Sequence, residues 1–139
     1  MPYIELMSSR FARWFLSKLH MIPIARGASD MQAIRSCMET LEEGHVLHVY
    51  PEGTRHYEKL MEHVEKGIAL LALREKVDMI PVYIDGIMRP FRLNRAIIGE
   101  PIRAADYPPG GYNRRNAEIL CQRVKDTFYA LRDRLNSSD

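Results

Sequence analysis

The sequence predicts an α/β fold, a mostly parallel sheet flanked by helices, in a single domain spanning residues 1–139. Three observations carry that expectation. Short apolar runs at residues 22–25, 46–50 and 79–84 are separated by segments with helical periodicity. These runs are too apolar for a sheet with one solvated face. Strand, helix and strand follow one another in order, the pattern of a parallel crossover unit.

The elements divide into an amphipathic helix at 1–20, a core at 22–102 and a C-terminal helix at 113–135. In the first, Ile4, Met7, Phe11, Trp14, Phe15 and Leu19 recur at helical spacing, flanked by Arg10, Arg13 and Lys18. Such a helix either lies in the headgroup region of a membrane or packs on the protein's own sheet. Residues 22–26 form a strand ending at Gly27, and Ser29 with Gln32 makes a capping box for the next helix. Met31, Ile34, Met38 and Leu41 share one face of that helix, and Gly44 stops it. The next strand, 45–50, ends in Tyr50-Pro51-Glu52-Gly53-Thr54-Arg55.

Beyond it the spacing predicts a polar loop over 56–65, a short helix over 67–76 and a strand over 79–84 that turns at Asp85-Gly86. A further strand at 95–98 turns at 99–101. Pro108-Pro109-Gly110-Gly111 breaks the chain. Leu120, Val124, Phe128, Leu131 and Leu135 then mark the apolar face of the last helix.

Bulk properties narrow the function classes. Twenty basic against 18 acidic side chains leave a formal charge of +2. That mild excess suits an anionic substrate or a membrane surface. It offers no nucleic-acid motif and no basic stripe, so nucleic acid is not an expected partner. Cys37 and Cys121 lack motif spacing and read as reduced thiols of a cytosolic protein. No run approaches the roughly 18–20 apolar residues of a membrane span. Glu5, Arg10, Arg13 and Lys18 interrupt any secretory signal. The expected location is the cytoplasm, peripheral on the cytoplasmic face of the membrane. No cluster has metal-ligand spacing, so no metal is expected.

The turn at 50–55 carries the chemistry. Pro51 cannot continue a central ladder, and Gly53 permits a tight turn. Glu52 and Arg55 then project from a strand end, where open α/β sheets place ligands. Arg55 can grip a phosphate through its planar fork of donors. Glu52 can either touch substrate or bond N–H groups of its own turn.

Further blocks stand around this turn in order. Upstream are Ile22-Pro23-Ile24-Ala25-Arg26-Gly27, Asp30, Ala33-Ile34-Arg35, Leu41 and Gly44. Downstream are Lys66-Gly67, Ala69-Leu70-Leu71-Ala72, Ile80-Pro81-Val82-Tyr83-Ile84 and Ile98-Gly99-Glu100-Pro101-Ile102. This succession resembles the glycerolipid acyltransferase family, whose best-known members are the lysophosphatidate acyltransferases. The resemblance implies a glycerol-3-phosphate acyltransferase-like fold. It implies transfer of a fatty acyl group from acyl-CoA or acyl-carrier protein to a lysophospholipid, with no cofactor. Arg26, Gly27, Glu52, Gly53, Thr54 and Arg55 would hold the substrate phosphate. Ile80, Pro81 and Val82 would serve acyl-donor binding and core packing.

The same family carries a histidine followed five positions later by an aspartate as its catalytic signature. Here the histidines are His20, His45, His48, His56 and His63, and five positions on stand Ala25, Tyr50, Gly53, Met61 and Ile68. No catalytic residue can therefore be carried over. His56, directly after Arg55, is a substitute candidate, although phosphate contact or solvation accounts for it more simply. His48, inside an apolar run, is expected to be a satisfied core residue. The chain reads as truncated at its N-terminus relative to the family, incomplete in its sheet, and open to self-association or to a complementing N-terminal piece. Alone it is expected to be weakly active or inactive; the alternative is an inactive module that binds anionic lipid or phosphate.

Overall fold

The structure, a computed structural model, describes Trp14, Lys18, Ile22 and residues 31–52, 61, 64–85 and 94–137. Its chain falls into two compact units, residues 1–47 and 48–139.

In the first unit Trp14 and Lys18 have helical backbone and are exposed. Helix α1 spans Met31–Glu42. Its buried side chains are Ala33 and Cys37, while Met31 is exposed and Ile34, Met38 and Leu41 are half-buried. The buried face is thus rotated from the expected one, toward Ala33 and Cys37. Gln32 of the expected capping pair is exposed within α1, while Ser29 and most of the strand expected at 22–25 lie outside the described residues. The helix ends as predicted at Gly44, where φ is +79°. The Gly44 N–H donates to the Leu41 carbonyl and the His45 N–H to the Thr40 carbonyl. That double bond pattern with a left-handed glycine satisfies the last carbonyls of α1.

The strand expected at 45–50 does not form. Val46 is 95% exposed and Tyr50 74% exposed. The backbone groups of residues 46–49 bond to no described residue. A strand exists only through its ladder partner, and no described residue partners this run.

The second unit is built on a hairpin. Strand β1 (Val82–Ile84) pairs with β2 (Ala96–Ile98), with Val82 opposite Ile98 and Ile84 opposite Ala96. The pairing is antiparallel, so the expected parallel neighbours are not found among the described residues. Antiparallel pairing requires no crossover and can form between strands close in sequence. An Arg95–Asp85 ion pair at 3.0 Å and the Asp85 N–H bond to the Arg95 carbonyl close the hairpin end.

Pairing also continues past Gly99 instead of turning away there. Its N–H reaches the Pro81 carbonyl at 2.8 Å, and Met79 bridges Ile102 through two bonds. Between these contacts one chain has an extra residue, which makes a bulge at Glu100-Pro101. Pro101 has no donor and sits where the ladder needs none.

Helix α2 spans Lys66–Glu75 and helix α3 spans Arg114–Asn136. They pack together, and α3 also contacts both strands. Ala69, Ala72 and Ala117 are all buried, so small side chains let the helices approach closely. Leu73, Leu120, Val124 and Ile102 fill the space around them. Leu120, Val124, Leu131 and Leu135 are buried and Phe128 half-buried, the face read from the sequence.

Asn113 caps α3 by accepting the Asn116 N–H at 2.8 Å. Asn116, only 5% exposed, donates from Nδ2 to the Pro109 and Gly111 carbonyls. The breaker is thereby tied to the helix it precedes. Gly110 and Gly111, at φ +94° and +65°, supply the backbone shape that this loop requires.

Candidate functional site

The turn following Tyr50 is described at its base. Pro51 offers its carbonyl to the Glu65 N–H at 2.8 Å. Glu65 directly precedes α2, so the turn is tied to the start of that helix. The Glu52 carboxylate accepts the backbone N–H of Met61. Met61 itself is 1% exposed and belongs to the core around Leu120. Its φ is +53°, a left-handed conformation rarely taken by a methionine. Nothing in the polar segment 56–65 marks that role except the apolar pair Leu60-Met61.

Gly53, Thr54, Arg55 and His56 lie outside the described residues, as do Arg26 and Gly27. Of the six expected phosphate ligands, Glu52 alone is described, and it is half-buried. His48 is exposed, not a core residue, and the run that contains it joins no sheet among the described residues. Its ring lies 4.9 Å from that of Tyr50, tilted by 47°.

The Ile80-Pro81-Val82 block divides by side. Pro81 is buried with Gly99 against Leu131, where a Cβ on Gly99 would lie 2.9 Å from Pro81 Cγ and 3.0 Å from both Leu131 methyl carbons. Ile80 and Val82 face outward with Ile84 and Ile98, and Ile80 is 63% exposed. Strand alternation explains the split, since neighbouring side chains point to opposite faces.

Titration behaviour away from the turn is structural. Burial pushes the Tyr107 phenol up to about 12, with the Asp78 carboxylate adding to the rise and Arg123 opposing it. Its hydroxyl donates to the Val77 carbonyl at 2.7 Å. Burial also raises the thiols of Cys37 and Cys121 above their ordinary value, which keeps them protonated and poor nucleophiles. Among the described residues no group of His, Cys, Asp and Glu could hold a metal ion, and no helix is long and apolar enough to cross a membrane.

The hairpin-and-helix unit holds Pro51 and Glu52, the described start of the Pro-Glu-Gly-Thr-Arg sequence, through the Glu65 and Met61 N–H groups. The chain belongs to the Acyltransferase family, whose sequence profile matches residues 2–85. It is 28% identical over 130 residues to a 1-acyl-sn-glycerol-3-phosphate acyltransferase of Bacillus subtilis, covering 88% of this chain and 64% of that protein. A chloroplastic 1-acyl-sn-glycerol-3-phosphate acyltransferase of Arabidopsis thaliana is 28% identical over 125 residues, covering 81% of this chain and 32% of its own length. Another from Brassica napus is 27% identical over 75 residues, covering 52% and 22%. The chain therefore spans less than two thirds of the length of each of these relatives. No solved structure matches it significantly.

Proposed function

We propose that this chain serves acylation of 1-acylglycerol-3-phosphate in phospholipid biosynthesis, with acyl-CoA or acyl-carrier protein as donor. The observation that carries the reading is the turn at 50–55, which lies within the family-matched span and whose base is held by Pro51 and Glu52. Arg26 and Arg55 supply cationic forks for the phosphate, and Gly27, Gly53 and Thr54 let backbone and hydroxyl groups approach it. The outward side chains of Ile80 and Val82 offer apolar surface to an acyl group. The basic N-terminal segment holds the protein on an anionic membrane surface. The mostly parallel, acyltransferase-like sheet belongs to the same proposal, with residues 46–50 entering a ladder only when a partner strand is supplied.

In the reaction the acceptor hydroxyl oxygen attacks the thioester carbonyl carbon. The C–O bond forms, the C–S bond breaks, and the hydroxyl proton passes to a base and on to the departing thiolate. None of the five histidines has an acidic residue five positions on. Such a base commonly contributes about a hundred- to ten-thousand-fold. This chain by itself is therefore expected to turn over slowly, and a complementing polypeptide carrying a His-x-x-x-x-Asp segment is expected to raise the rate.

The same observation favours a second reading, an inactive module that binds anionic lipid. Thiol release from acyl-CoA with lysophosphatidate as acceptor decides between them. The first reading requires a measurable rate on complementation, whereas the second requires lipid binding with none. Arg55→Ala is expected to weaken lysophosphatidate binding by about 2 kcal/mol in calorimetry. Unchanged affinity removes Arg55 from the site. Robust turnover by the chain alone, abolished in His56→Ala, would make His56 the base.

A further inference from the structure

The Glu52 carboxylate points back into its own loop and holds the Met61 N–H. We propose that Glu52 is a positioning residue, the clasp that fixes the two ends of the segment carrying Gly53, Thr54 and Arg55, and not a ligand of the substrate. The role rests on the phosphate-binding reading of that segment.

Three independent features define the clasp. Met61 is nearly fully buried, so one end of the segment is sunk in the core beside Leu120 and Val124. Its left-handed φ of +53° is costly for a non-glycine residue and persists only where surroundings over-determine it. Burial of its side chain and capture of its N–H by Glu52 are two such determinants. A second closure lies outside the first, where the Pro51 carbonyl takes the Glu65 N–H at the foot of α2. The segment thus begins and ends at adjacent, hydrogen-bonded points.

Charge points the same way. A carboxylate aimed at a phosphate is repelled by it, whereas a carboxylate that accepts a backbone N–H stabilises its own turn and leaves the arginine as the anion's partner. A loop whose ends are fixed binds with less ordering cost, because a larger fraction of molecules already holds the competent shape.

The test uses the full chain, isotope-labelled, with inorganic phosphate and lysophosphatidate as separate probes. Glu52→Ala is expected to speed exchange of the Met61 amide about tenfold and to weaken both probes by a common factor of about ten. Glu52→Gln keeps an acceptor oxygen and is expected to restore both. If Glu52→Ala fails to fold, Glu52→Asp, which shortens the reach by one methylene, carries the same comparison. Unchanged Met61 exchange overturns the clasp. Weakened lysophosphatidate with unchanged phosphate makes Glu52 a ligand of the glycerol moiety and overturns the proposal, as does failure of Glu52→Gln to restore binding. Arg55→Ala run alongside separates the two ideas. If it weakens neither probe, the phosphate reading fails and the positioning role falls with it, while the exchange rates still decide whether the clasp exists.

Discussion

Residues 46–49, Val-Leu-His-Val, and residues 82–84, Val-Tyr-Ile, are nearly equivalent as sequence, both short, apolar and rich in β-branched side chains. Their structures diverge. The second pairs with Ala96–Ile98 and lies against α3. The first bonds to no described residue and leaves Val46 almost wholly exposed. The difference teaches that β character in the side chains is permissive, while a ladder partner at the right distance is what makes the strand. Residues 82–84 have that partner 12–16 positions away, through a hairpin whose end is pinned by Asp85 and Arg95.

If packing on α3 is what separates the two segments, damage to α3 must be the most costly change. Leu120, fully buried between α2 and the bridge at Ile102, is the test. Leu120→Ala is expected to destabilise by about 3 kcal/mol in urea unfolding. A loss under about 1 kcal/mol would mean that the helix pair is not the floor of this unit.

The hairpin's seat can be challenged directly at Gly99. Gly99→Ala places a methyl 2.9 Å from Pro81 Cγ and 3.0 Å from the Leu131 methyl carbons. Leu131 can yield but the proline ring cannot, so a net loss of about 1.5 kcal/mol is expected after the gain from a stiffer unfolded chain. A neutral result would show that the strands sit more loosely on α3 than these distances imply.

Tyr107 probes the connection between hairpin and helix. Tyr107→Phe removes the bond to the Val77 carbonyl and is expected to cost about 1 kcal/mol at neutral pH. The pH dependence has a definite sign. The folded protein holds the neutral phenol, its pKa raised from 10.0 to about 12. The contribution is therefore complete below the unfolded value and is lost as pH rises through the folded one. Wild-type melting temperature should fall across that alkaline window more steeply than that of Tyr107→Phe. Parallel curves would detach the phenol from stability.

The smallest effect belongs to residues 46–49. Val46→Ala is expected to change stability by less than about 0.5 kcal/mol. A loss above about 1 kcal/mol that grows with protein concentration would show that residues 46–49 find a partner in another molecule, and the contrast with residues 82–84 would then be one of context alone.

Elements with a strong local code were legible from the chain. The apolar stripe of α3, the stop at Gly44 and the break at 108–111 depend on periodicity or on backbone freedom, and each appears where the residues indicate. Pro51-Glu52-Gly53-Thr54-Arg55 could be singled out because a proline, a glycine and an oppositely charged pair directly follow an apolar run, and the ordered blocks around it carried the family. What the sequence could not assign was partnership. The antiparallel pairing of residues 82–84 with 96–98, exposure of His48, burial of α1 through Ala33 and Cys37, and capture of the Met61 N–H by Glu52 all depend on which group meets which across the fold. Local pattern sets the conformations that a segment can adopt at low cost. Only tertiary contact supplies the hydrogen-bond partner or apolar neighbour that selects one of them, and for residues 46–49 no described residue supplies it.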